Sequence, residues 1–263
     1  MTRTIAVTGA GSGMGAATGA RLRADGHRVI GVDLRGADIT ADLGAAEGRR
    51  SAIDAIADRS GGVLDGLVTF AGIGGLPDRA GSLLVSVNYF GTVELLAGLR
   101  PLLAAGDQPA AVAISSNSTT TTPVAAALVE ACLAGEEAPA RAIGDEVGSM
   151  AAYPATKTAV ARWVRRQATG AEWIGAGITL NAIAPGATDT AMVAEGRADP
   201  EIGHLIDQFP VPAGRLCRPE EIAALVAFLL GAEGRFFCGS VVFADGGTDA
   251  LLRPDDWPAG MPG

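Results

Sequence analysis

Ser116, Tyr153 and Lys157 are the residues of this chain whose types and spacing suit proton transfer. Tyr153 and Lys157 stand four apart, and residues four apart on a helix are neighbours on one face. A phenol beside an ammonium can give up a proton at neutral pH, or take one if its pKa is lowered. An unperturbed tyrosine titrates near 10. A cation about 4 Å away, at an effective dielectric near 20, contributes up to roughly 4 kcal/mol, or about three pKa units. Far upstream lies Thr8-Gly9-Ala10-Gly11-Ser12-Gly13-Met14-Gly15, between the apolar run Ile5-Ala6-Val7 and a helix-like stretch. That is the context a phosphate-cradling turn needs, because glycines let the backbone approach a pyrophosphate whose charge the helix N-terminus favours.

These groups need a frame. Short apolar runs alternate with longer helix-like segments, the pattern of βαβ units and a parallel sheet. The runs predict strands over 4–9, 28–33, 65–70, 110–116, 178–184 and 240–244, and helices over about 13–25, 47–60, 82–104, 152–172 and 219–231. Pro219-Glu220-Glu221 puts proline and acids in a first helical turn. With 263 residues, 48% of them hydrophobic, and no linker dividing the chain, the expectation is one α/β domain over 1–263. The formal charge of -9 without basic runs speaks against nucleic acid and anionic membrane as partners. No uninterrupted apolar stretch approaches the about 18 residues of a membrane span. The strand at the N-terminus leaves no room for a signal peptide. Cys132, Cys217 and Cys238 are odd in number and widely spaced, which fits a reduced cytoplasmic protein. His27 and His204 form no cluster with them, so no metal site is expected.

Asp33 ends Arg28-Val-Ile-Gly-Val-Asp33, about 20 residues after the glycine turn, where an acid accepts hydrogen bonds from an adenine-side ribose and repels a 2′-phosphate. The glycine turn carries no Lys or Arg, although Arg35 is near. NAD is therefore expected in preference to NADP.

Taken together, these motifs resemble the short-chain dehydrogenase/reductase family over nearly the whole chain. The resemblance implies a Rossmann-type, doubly wound parallel sheet and a tetrad of Asn88, Ser116, Tyr153 and Lys157. Tyr153 would exchange the proton and Ser116 would hold the substrate oxygen, the second serine of Ile114-Ser115-Ser116 being preferred to Ser115. Asn88 would kink its helix and seat a water linking Lys157 to solvent. The resemblance further assigns cofactor contacts to Gly9, Ser12, Gly13, Met14, Asp33, Leu34, Asp42, Leu43, Ala71, Gly72, Tyr153 and Lys157. In Pro185-Gly186-Ala187-Thr188-Asp189-Thr190 it implies contacts from Pro185, Gly186, the Thr188 backbone and the Thr190 hydroxyl to the nicotinamide carboxamide. Phe70-Ala71-Gly72 departs from the family's Asn-Ala-Gly, a loss expected to bear on strand stability more than on chemistry. Pro154 is expected to be tolerated only if it and Tyr153 lie in the first helical turn.

The family usually places the serine about a dozen residues before the tyrosine; here the spacing is roughly three times that. Within the insertion, about 119–150, Thr122-Pro123 reads as an N-cap and first helical position, Gly135 as a C-cap, and Glu136-Glu137 with Pro139 as the start of a second helix through about Val147. A helical insert at this point resembles the bacterial 3α-hydroxysteroid dehydrogenase/carbonyl reductase subgroup. The expected reaction is hydride transfer between NAD(H) and a hydrophobic secondary alcohol or ketone, 3-hydroxy- and 3-oxosteroids included. A dinucleotide-sensing binding protein on the same fold and a β-ketoacyl-type reductase remain alternatives. Apolar Met192, Val193, Leu205, Ile206, Phe209 and Val211 would cover the nicotinamide side. The insert should block pairing of the 82–104 and 152–172 helices and leave a homodimer formed near 219–247, unless it lies over the cleft as a lid.

Overall fold

The computed structural model describes residues 1–256; residues 257–263 of the expected domain lie outside the described residues. The first half runs β1 (Thr4–Thr8), α1 (Gly13–Ala24), β2 (Arg28–Asp33), β3 (Ile39–Thr40), α2 (Ala46–Ser60), β4 (Gly66–Thr69), α3 (Gly81–Leu84), α4 (Gly91–Ala104) and β5 (Ala110–Ile114). It continues through α5 (Ser118–Thr121), α6 (Ala126–Ala134), α7 (Glu137–Val147), α8 (Ser149–Ala168) and β6 (Thr179–Pro185). The chain then forms α9 (Ala191–Ala198), α10 (Gly203–Gln208), α11 (Pro219–Leu230), β7 (Val241–Ala244) and α12 (Thr248–Leu252).

All seven strands pair in parallel in the order β3-β2-β1-β4-β5-β6-β7. Parallel strands are covered on both faces and read as continuous apolar runs, and alternate residues divide between two cores. Ile5, Val7, Val68, Val112 and Ile114 face α1 and α11 with Leu22, Ile222 and Val226. Ala6, Leu67, Ala111 and Ala113 face α2, α4 and α8 with Ile56, Leu99 and Val160. The sheet order reverses between β1 and β4, so a crevice opens beyond the C-terminal ends of the strands.

Several expectations need correction. The two-residue β3 is too short to register as an apolar run. The 82–104 helix runs from Gly81 to Ala104 but is interrupted by a π turn over Val85–Phe90. It is long and apolar enough to cross a membrane by length and composition, yet 72% of its most apolar window is buried in the fold. The 152–172 helix begins earlier, at Ser149, so Pro154 lies inside α8 beyond its first turn. The added turn is docked by Ser149, whose hydroxyl accepts from the Leu76 amide at 3.1 Å and donates to the Leu76 carbonyl. Within the insert, Thr122 ends the short α5, and the next helix starts at Ala126 without a side-chain cap, so Thr122-Pro123 is not its start. Gly135 does close that helix, in the left-handed conformation at φ 78°.

The insert is part of the core. Helix α6 packs on α8 and α7 packs on α3, burying Leu128, Val129 and Cys132. A charged network joins them to the first half. Fully buried Arg49 donates to Glu94 at 2.7 Å, to the Leu43 carbonyl at 3.3 Å, and to Glu137 of the insert. Glu137 in turn accepts from Ser86 in the π turn at 2.7 Å. Removing one partner of a buried ion pair strands the other, although both carboxylates here keep some contact with water. Arg49→Met should therefore lower the unfolding free energy by about 2–3 kcal/mol in urea titrations. A change below about 0.5 kcal/mol would show that the network lends the insert no support.

Candidate active site

The end of β5 and the middle of α8 are tied together twice. Lys157 Nζ donates to the Ile114 carbonyl at 3.1 Å, and the Ser115 hydroxyl donates to the Lys157 carbonyl at 2.9 Å. Ser115 is thereby turned onto the helix backbone, while Ser116 lies beside the Tyr153 phenol and acts to lower its pKa. Ser116 Oγ also accepts from the Ser118 amide at 3.1 Å.

Asn88 is fully buried in the π turn and grips the backbone of Ile73 in both directions. Its Oδ1 accepts from Ile73 N at 2.8 Å and its Nδ2 donates to Ile73 O at 3.0 Å. A Cβ on Gly72 would lie 3.1 Å from Asn88 Oδ1 and 3.3 Å from Lys157 Nζ. Gly72 therefore lets the β4 loop, Asn88 and Lys157 share one point. The four expected residues come together, but Asn88 acts on this loop backbone.

Burial dominates the electrostatics of the site. Burial pushes the Tyr153 phenol above its ordinary value, with Ser116 the opposing influence. Burial also lowers the Lys157 ammonium to about 8. Loss of solvation is thus the largest influence on both groups. At neutral pH the site holds a protonated phenol and a serine hydroxyl free to donate.

Beside this centre runs a cleft of about 380 Å³. It is lined by Gly9, Ser12, Gly13, Met14, Asp33, Leu34, Asp42, Leu43, Ala71, Gly72 and Thr190, all expected contacts. A Cβ on Gly15 would come within 2.0 Å of the Gly9 carbonyl, so only glycine allows this turn to fold back on itself. Gly13, at φ 52°, keeps the helix start clear of Thr190 Cγ2. The Ser12 side chain makes no capping bond, which leaves the first amides of α1 free for an anion. Asp33 sits at the rim and accepts from the Gly11 and Leu34 amides at 2.9 and 2.6 Å. The space, the free amides and the rim carboxylate fit a dinucleotide.

Five expected contacts lie outside the lining of that cleft: Tyr153, Lys157, Pro185, Gly186 and Thr188. Pro185 ends β6 and accepts from Asn117 N at 3.0 Å. Gly186 is packed so closely on Asp245 that a Cβ would stand 2.7 Å from its Cα. Thr188 is paired with Cys217 in a parallel bridge, whereas Thr190 caps α9 by accepting from Val193 N at 3.5 Å. The substituted Phe70 lines the cleft and packs into the α1/α11 core. Leu83 and Val87 line the cleft beside Gly44 and went unnoticed in the sequence. Their i,i+4 spacing on the helix that carries Asn88 is the signal that finds them. Met192 crosses the cleft towards Gly74, where a Cβ would lie 3.2 Å from its Cγ.

Comparison with known proteins fits this geometry. The short chain dehydrogenase family model matches residues 3–129, and the model described as enoyl-(acyl carrier protein) reductase matches residues 142–249. The chain is 44% identical to the 3-alpha-hydroxysteroid dehydrogenase/carbonyl reductase of Comamonas testosteroni, over 95% of this chain and 98% of that one. It is 33% identical to the cis-4-hydroxycyclohexanecarboxylate dehydrogenase of Sinomonas cyclohexanicum, over 95% and 97%. The crystal structure of the 3-alpha-hydroxysteroid dehydrogenase from Pseudomonas sp. B-0831, complexed with NADH, superposes with a TM-score of 0.91. That pair is 46% identical and covers 96% of this chain and 99% of the other. The chain belongs to the short-chain dehydrogenase/reductase family of oxidoreductases.

Proposed function

We propose that this protein interconverts a hydrophobic secondary alcohol and its ketone with NAD(H) as partner, and that cyclic substrates such as 3-hydroxy- and 3-oxosteroids fall within its range. The observation that carries this reading is the convergence of Ser116, Tyr153, Lys157 and Asn88 beside a cleft of dinucleotide size. The relatives named above support the substrate class.

Bound NADH supplies a hydride to the carbonyl carbon, and NAD⁺ accepts one in the reverse direction. Tyr153 gives its phenolic proton to the substrate oxygen, a role for which burial keeps that proton in place at neutral pH. Ser116 donates to the same oxygen while its own oxygen is steadied by Ser118 N. Lys157, anchored on Ile114, holds the nicotinamide ribose. Asn88 and Gly72 set the loop that would support that ribose. Gly9, Ser12, Gly13 and Met14 would take the pyrophosphate, Asp33 and Leu34 the adenosine ribose, and Asp42, Leu43 and Ala71 the adenine. Pro185, Gly186, Thr188 and Thr190 form the carboxamide turn.

Assembly follows from the insert. Helices α6 and α7 cover α8 and α3, whereas the opposite side presents Phe236, fully exposed, and Phe228, 40% exposed. The expected species is a homodimer joined near 219–247. The free thiols of Cys132, Cys217 and Cys238 suit the cytoplasm.

Tyr153→Phe should nearly abolish turnover while NADH binding, followed by fluorescence titration, is kept. In the unmodified enzyme, ketone reduction should be fastest below about pH 8, where Tyr153 keeps its proton and Lys157 its charge. Alcohol oxidation should climb into the alkaline range as the phenol loses its proton. A reduction rate that rises from pH 8 to 10, or a Phe variant that turns over normally, would remove Tyr153 from the chemistry.

Steady-state kinetics with both cofactors should favour NADH over NADPH by about tenfold or more, from repulsion between Asp33 and a 2′-phosphate. Asp33→Ala should narrow that ratio. A preference for NADPH in the unmodified protein would mean that Arg35 governs the pocket.

Light scattering should give a mass near twice the 26.4 kDa chain, and Phe236→Asp should shift it towards the monomer. A tetramer would contradict the blocked face.

A further inference from the structure

The segment from Arg215 to Glu221 stands outside the dinucleotide cleft, yet it is bonded to the turn assigned to the carboxamide. The Cys217 amide donates to the Ala187 carbonyl at 2.9 Å, and the Asp189 amide donates to the Cys217 carbonyl at 2.8 Å. These two bonds flank Thr188 in a one-residue parallel bridge. Successive peptide groups of an extended chain face opposite ways. With Ala187 O and Asp189 N turned to Cys217, the Thr188 N–H and C=O turn away from it. They face the side of Thr190, whose hydroxyl donates to Thr188 O at 3.3 Å and which lines the cleft.

Cys217 is itself held from both sides by one carboxylate. Glu221 accepts two bonds from the Arg215 guanidinium, each 2.7 Å, and a third from the Arg218 amide at 2.8 Å. Arg215 folds back to donate to the Leu216 carbonyl at 3.0 Å. Bidentate, charge-assisted pairs of this kind fix geometry as well as adding energy. The Arg215 side chain and the Arg218 amide hold the Glu221 carboxyl well below the usual carboxylate range, so the grip stays charged at any working pH.

We propose that Glu221 is a positioning residue for the reaction: by gripping Arg215 and Arg218 it fixes Cys217, which aims the Thr188 amide at the carboxamide of the cofactor's nicotinamide. This inference rests on the dinucleotide reading above. It makes a claim about one end of the ligand only. ADP-ribose, which lacks the nicotinamide, should be indifferent to the grip.

The test titrates NADH and ADP-ribose against the full-length protein, Glu221→Ala, Glu221→Gln and Arg215→Lys, by calorimetry. Loss of one well-oriented hydrogen bond corresponds to about tenfold in affinity. Glu221→Ala should bind NADH about tenfold more weakly and ADP-ribose within about twofold of the unmodified protein. Glu221→Gln, which keeps an acceptor for Arg218 N, should fall between. Should the alanine variant fail to fold, Arg215→Lys supplies the same comparison, because it breaks the fork without removing the carboxylate. Equal weakening of both ligands would reduce Glu221 to a general structural role, and unchanged NADH affinity would overturn the proposal outright. If the unmodified protein binds neither ligand, the dinucleotide reading fails first and takes this inference with it.

Discussion

The structure turns on the double tie between β5 and α8. One bond runs from Lys157 Nζ to the Ile114 carbonyl and another from the Ser115 hydroxyl to the Lys157 carbonyl. Together they fix both the height and the rotation of the helix against the strand. Once α8 is set, helical spacing puts Tyr153 one turn from Lys157, and the next residue of the chain, Ser116, meets the phenol. The tie has an electrostatic consequence as well. Lys157 is sunk beside a carbonyl with no carboxylate to pair it, so its ammonium loses hydration that nothing restores in full.

Much of the frame was legible because a parallel sheet leaves a strong trace. Each strand is an apolar run, and Gly9, Gly13 and Gly15 mark a turn whose backbone packing excludes any side chain at Gly15. The expected residues that do line the cleft, from Gly9 and Asp33 to Gly72, follow directly from where the strands end. What the sequence hid depends on groups far apart in the chain. A two-residue edge strand has no periodicity to read. The π turn arises where Asn88 turns inward to grip Ile73, a partner on a different loop. The direction of the Tyr153 shift depends on how much water the folded site excludes. The spacing to Lys157 cannot report that quantity.

The insert shows the same limit from another side. Its helices were readable from Gly135 and the Glu136-Glu137 pair, but their attachment was not. Glu137 reaches Arg49 and Ser86, residues 88 and 51 positions before it in the chain. The loop at Leu43, the π turn and the insert are therefore joined through one buried guanidinium and the Glu137 carboxylate. Pro154 makes the complementary point. It lies inside α8, where its missing amide removes one helical hydrogen bond. The helix nevertheless continues upstream because Ser149 is anchored on the backbone of Leu76.

Helices α9 and α10 stand apart from this economy of shared contacts. Across 191–208 only Gly196, Ile202 and Gly203 are buried, while Met192 and Leu205 are open to water. Neither helix supplies a strand neighbour or a member of the two main cores. Sequence drift in this stretch is therefore nearly free of folding consequences, while it alters the wall that an incoming molecule meets. The architecture separates heritable stability from heritable selectivity. A lineage can retune what it accepts by changing a cover of some twenty residues and leave the machinery beneath untouched.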